Sequence, residues 1–192
     1  VKYKHIPQQP SCCVPACAQM ILHRRNVPTM PSQTDIAYIL GIILPPEDKH
    51  LLPKSHKGKR PKAGWGTRIN LKRYSLTNFF GRQEYHLQET FRSGEKFETA
   101  QKLGQFLREN AASKNDILVC FNYPLLYNSK GSWGHASLVE RIDGQQVILR
   151  DPSPNHKRVR RVFVEDLLNS IRNHYCGGIW IIATETETHK NK

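Results

Sequence analysis

The sequence predicts an α+β domain, with helices gathered in the first half and an antiparallel sheet in the second. Three observations carry this expectation. The chain has 192 residues, 38% of them apolar, enough to bury one core without metal or disulfide staples. Amphipathic, helix-forming segments dominate up to Ala112, and runs rich in β-branched and aromatic residues dominate from Asp116 onward. No apolar run approaches the ~18 residues that a membrane helix needs, which excludes a membrane-spanning helix. One domain is expected over residues 1–184, followed by a polar tail, 185–192, that should fray.

In chain order, residues 15–25 (PACAQMILHRR) carry strong helix formers, and Pro15 falls where a first helical turn tolerates proline. Residues 32–42 open on a capping pattern, Ser32 with Asp35 three positions on, and set Ile36, Ile39 and Leu40 on one face. Residues 45–64 change character: four prolines and six Lys or Arg with little apolar periodicity read as an exposed basic loop. A third helix is expected after Thr67, a weakly alternating strand over 84–91, and a fourth helix over 96–112 with Phe97, Leu103, Phe106 and Leu107 as its buried stripe. Strands are expected over 116–123, 135–142, 145–151 and 178–184, with a short helix over 162–174 before the last.

Lys and Arg outnumber Asp and Glu by 29 to 16, a formal charge of +13, so nucleic acid, an anionic membrane or an acidic protein must be weighed as partners. The basic runs 54–62 and 156–161 come with no nucleic-acid-binding motif and read as solvated faces, so nucleic acid is not the expected partner. Cys12, Cys13, Cys17, Cys120 and Cys176 are an odd set without CxxC spacing, which argues against both a zinc site and a disulfide scaffold. His5, His23, His50, His56 and His135 are scattered without partners at i+4, so neither metal nor cofactor is expected. This cysteine usage points to a reducing, cytoplasmic location as synthesised, with secretion as an effector the alternative.

The chemistry concentrates in QQPSCCVPACAQMIL and SWGHASLVERIDGQQVILRDPSP. A thiol is activated at a helix N-terminus, where unpaired amides and the helix dipole favour negative charge. Cys13 lies immediately before the Pro15 helix; Cys12 is the rival, one residue away, and Cys17 and Met20 fall at helical spacing beneath. In the second segment, a three-residue loop of Ile142, Asp143 and Gly144 would set His135 directly opposite Asp151, whereas a two-residue loop would put them on opposite faces. A carboxylate beside His135 would orient the ring, leaving its other nitrogen for the Cys13 proton. Acyl transfer also needs oxyanion donors: the Cys13 amide supplies one, and Gln8, or else Gln9, could supply a second. Trp65, within Gly64-Trp65-Gly66, and Trp133 are expected to line the substrate cleft.

Taken in order, Gln8 or Gln9, the stretch from Cys13 to Leu22, SQTDIAYILG, Gly134-His135 and Asp151-Pro152 together resemble the papain-like cysteine peptidases of the double-glycine leader (bacteriocin-processing) type. The resemblance implies a papain-like fold, a helical N-terminal half packed on a C-terminal antiparallel sheet with the site between them. It implies Cys13 as nucleophile, His135 as general base and acid, Asp151 as its orienter and Gln8 (or Gln9) in the oxyanion hole. Three positions depart from the family pattern: Val14 stands where glycine is usual, Cys12 duplicates the thiol, and the glutamine lies closer to Cys13 than is typical. A stand-alone bacterial enzyme without a transporter portion, acting on a peptide or protein, is expected. The same thioester chemistry serves transglutaminase-like and deamidating enzymes, and a basic binding protein with an idle triad is the reading from another class.

Overall fold

The computed structural model describes residues 2–62, 64–154 and 158–185. Helices α1 (Cys13–Arg24), α2 (Gln33–Ile39) and α3 (Leu76–Arg82) come first; β1 (Leu87–Ser93), α4 (Ala100–Ala112), β2 (Asp116–Asn122) and α5 (Tyr123–Tyr127) follow; then β3 (Gly134–Asp143), β4 (Gln146–Arg150), β5 (Val159–Phe163), α6 (Val164–Arg172) and β6 (Gly178–Thr184). The six strands form one antiparallel sheet in the order β1-β6-β2-β3-β4-β5.

Alternation along β2 explains the layering. Leu118 and Cys120 join a core with α1, α2 and α3 on one face of the sheet, while Ile117, Val119 and Phe121 join a second core with α4 and α6 on the other. Buried on both faces, β2 reads as a continuous apolar run rather than an alternating one. None of the helices among the described residues is long and apolar enough to cross a membrane.

Several boundaries differ from the expectations, each for a local reason. Ser32 caps α2 by accepting from the Asp35 amide, as its spacing foretold. α4 starts later than residue 96, because Thr99 takes the capping position and accepts from Lys102 N, while Phe97 is still buried ahead of it. Residues 159–163 pair with β4 as an edge strand, a strand that was not foreseen, and α6 begins only at Val164, with Glu165 and Asp166 favourably placed in its first turn. The stretch 45–64 is not simply an exposed loop: Pro46–Leu51 forms a 3-10 helix, Leu52 is buried, and Ile43 bridges to both His56 and Gly66. The expected tail lies almost wholly outside the described residues, which end at Glu185.

The β3–β4 hairpin corrects the expected register. Asp143 faces Gln146, so the loop is the two residues Gly144 and Gln145, and Gly144 takes the positive φ of 61° that such a turn favours. A β-bulge between Val139 and Arg141 then adds one residue to β3, so that Leu138 faces Arg150. Asp151 therefore lies across from Ser137, one diagonal step from His135 and on the same face.

The leading segment is tied down by buried charge. Asp116 is fully buried and accepts from Arg24 Nε at 2.6 Å, Arg25 Nε at 2.8 Å and the Tyr3 hydroxyl at 2.8 Å. Removing the carboxylate would take the counter-charge from two part-buried guanidinium groups and the acceptor from the buried Tyr3 hydroxyl. Asp116→Ala is expected to cost about 3 kcal/mol or more of stability, measured by urea unfolding, with more loss than Asp35→Ala at an exposed ion pair.

Candidate active site

The chain reaches α1 through a tight turn in which Cys12 N–H donates to the Gln9 carbonyl at 3.0 Å, with Pro10 and Ser11 at its centre. Cys12 is the N-cap and Cys13 the first residue of α1. The amides of Cys13 and Val14 are thus among those no helical carbonyl can accept, and Pro15, which has no N–H, fills the third position without loss. The two adjacent thiols part company here. Cys12 is fully buried in a small cluster with Ala37, Ile42, Leu44 and Leu52, where burial pushes its pKa up to about 12, while Cys13 is half-buried and faces an open cleft of about 460 Å³. Cys17 packs under the site, its thiol directed at the Ala136 carbonyl at 3.7 Å, and Cys120 and Cys176 are also held above their ordinary pKa by burial.

His135 stands at the start of β3 and lines the same cleft. Its Nε2–H donates to Asp151 Oδ1 at 2.9 Å, which leaves Nδ1 for the Cys13 thiol. Asp151 is fully buried; its Oδ1 also accepts from Ser153 N–H at 2.8 Å, and Arg160 Nε lies 3.6 Å from Oδ2. Burial works to lower the His135 pKa, but the hydrogen bonds to Asp151 and Cys13 outweigh it and push the ring up to about 9. For Asp151, burial works upward, and the bonds from His135 and Ser153 with the nearby Arg160 charge hold the carboxyl below its ordinary value.

Gln8 and Gln9 are separated just as clearly. The Gln8 amide donates to the Pro152 carbonyl at 2.8 Å, docking it against the loop that carries Asp151, and its side chain lines the cleft. Its Oε1 is buried and bonded to nothing among the described residues. Gln9 is exposed and turned to α2, its N–H donating to Gln33 Oε1 at 2.8 Å and its Oε1 accepting from Thr34 Oγ1 at 3.4 Å.

Trp65 and Trp133 both line the cleft. Trp65 rides on a segment pinned by the pairing of Gly66 with Ile43, and Trp133 is 49% exposed and stacked on Tyr123 with ring centroids 5.7 Å apart. Several contributors had no sequence signal strong enough to single them out. Tyr123 and Phe121 set their rings edge-on to His135 at 5.2 and 5.7 Å. Arg160, from the unforeseen β5, lies over the Tyr127 ring and reaches the Tyr123 hydroxyl. His174 approaches Gly134 so closely that a β-carbon there would fall 2.3 Å from its Nε2, which gives the glycine before His135 a steric reason. Among the described residues, no group of three or more His, Cys, Asp or Glu could hold a metal ion.

These shifts predict a pH dependence with a definite sign. Because the folded His135 pKa lies above its ordinary 6.5, its contribution to stability is fully present below about 6.5 and is lost as pH rises through about 9. An NMR titration should place the ring's midpoint near 9, and Asp151→Asn should move it down toward or below 6.5 as burial gains the upper hand.

No family model matches the chain, and no curated protein matches it in sequence. In three dimensions it is similar to the crystal structure of a candidate C39-like peptidase from Bacillus anthracis, with a TM-score of 0.59 and 12% identity over 93% of each chain. At that identity the likeness is one of architecture. The chain shares with that neighbour an α+β fold, with the N-terminal helices against one face of an antiparallel sheet.

Proposed function

We propose that the protein is a cysteine peptidase that cleaves a peptide or protein amide through a thioester on Cys13. The observation that carries this reading is the alignment of Cys13, His135 and Asp151. A thiol on the first turn of a helix faces an imidazole whose far nitrogen is bound to a buried carboxylate at 2.9 Å. The peptidase-like fold supports it.

In this reading Cys13 gives its thiol proton to His135 Nδ1 and its sulfur attacks the substrate carbonyl, and the developing oxyanion is met by the Cys13 backbone N–H and the Gln8 side-chain amide. His135, held with its Nε2–H on Asp151, donates its Nδ1 proton to the departing amine. The products of this half are a thioester and a free amine. Water then attacks the thioester with His135 as base, which releases the acid and restores the thiol.

Iodoacetamide should alkylate wild-type protein once at Cys13, read by intact mass, and should spare that position in Cys13→Ala. Cys13→Ala and His135→Ala should each lower kcat/KM on a cleaved peptide by about a thousandfold or more. Gln8→Ala should lower kcat by about a hundredfold with KM little changed, while Gln9→Ala should leave both near wild type. Peptide hydrolysis should fall off above pH about 9, as His135 loses the proton it delivers to the leaving group. A glutamine-containing peptide with an amine donor separates the outcomes by mass: cleavage supports the reading, whereas deamidation or amine incorporation without cleavage replaces it with acyl transfer.

A further inference from the structure

We infer that the cleft selects peptides bearing an acidic side chain close to the bond attacked; this rests on the peptidase reading above and names the substrate class for that same site. Apart from imidazoles, the charged side chains lining the cleft among the described residues are Arg60 and Lys62, and both are exposed. Among the described residues, no carboxylate lines it to cancel them. Asp151, the carboxylate bound to His135, is fully buried and engaged by His135, Ser153 and Arg160. Lys57 and Lys59 are exposed on the same stretch, and among the described residues none of these four cations forms a salt bridge.

The cations are held over the cleft by what flanks them. Upstream, His56 N–H donates to the Ile42 carbonyl at 2.9 Å, its Nε2 contacts the Tyr38 carbonyl at 2.9 Å, and its ring stacks on Tyr38. Downstream, Gly66 and Ile43 exchange hydrogen bonds of 2.9 and 3.0 Å. A segment clamped at both ends loses less entropy on meeting a ligand than an untethered one would. A concave wall also focuses the field of its charges, so an acidic peptide is both attracted and oriented there. The aromatic faces of Trp65 and Trp133 remain for the uncharged part of the chain.

The test is a degenerate peptide library digested by the full chain and read by mass spectrometry, followed by Glu, Gln and Lys versions of the best-cleaved peptide. Asp and Glu should be enriched, and Lys and Arg depleted, within a few residues of the cut. The Glu peptide should exceed the Gln peptide about tenfold in kcat/KM, with the ratio shrinking toward one in roughly 0.5 M KCl. The double variant Arg60→Gln with Lys62→Gln should abolish the ratio while Cys13 is still alkylated by uncharged iodoacetamide, and the charge-keeping swap Arg60→Lys with Lys62→Arg should retain it. Equal cleavage of the Glu and Gln peptides by wild type, or a preference that survives the double Gln variant, overturns the inference and leaves the peptidase reading intact. Alkylation of Cys13 with no peptide cleaved overturns both. Protection of Cys13 by a single-stranded DNA oligomer at concentrations where poly-glutamate has no effect overturns it in favour of nucleic acid.

Discussion

The extra residue that β3 carries at Glu140 decides on which face of the sheet Asp151 emerges. A two-residue turn alone would send His135 and Asp151 to opposite sides, and the bulge restores them to one. Buried bonds hold Glu140 at the bulge: its Oε1 accepts from Arg150 Nε and Nη2 at 2.9 and 2.6 Å and from the Tyr3 amide at 3.2 Å. A buried ion pair of this kind adds little net stability, because desolvation offsets the attraction. Its effect here is geometric, since one shifted residue is the difference between an oriented imidazole and a stranded one.

The rest of the site follows from joining that hairpin to the start of α1. Cys17 and the small Ala136 let the helix lie close on β3, and the bond from Gln8 to Pro152 fixes the leading segment against the loop that holds Asp151. Phe121 and Tyr123 set their rings edge-on against the buried His135, and Trp133 stacks on Tyr123. In that enclosure, hydrogen bonding and burial pull the ring in opposite directions, and bonding prevails.

What could be read from the sequence was what local chemistry determines. The α1 helix, the Ser32 cap, the apolar stripe of α4 and the run that becomes β6 are all set by residues near one another in the chain. The proximity of His135 and Asp151 was also legible, but a three-residue loop is not what produces it: the bulge at Glu140, whose carboxylate binds Tyr3 and Arg150, leaves no mark in the residues around it. The choices between Cys12 and Cys13 and between Gln8 and Gln9 turned on a single residue of helix phase. They needed the turn at Pro10 and the partners of Gln9 on α2 to separate them. β5 was hidden because VRRVF runs without a break into a helix-forming stretch, and Arg160 with it.

The sheet order has a consequence for how the protein comes into being. Among the described residues β1 pairs with β6 alone, and β6, the last strand in the chain order, is inserted between β1 and β2, where Trp180 forms part of the cleft. Cys13 is synthesised before any of the strands, and the amide of Tyr3 finds Glu140 only across a separation of 137 residues. The order of assembly is therefore built into the topology: the segment that carries Cys13 precedes in the chain the strands that complete the cleft it faces.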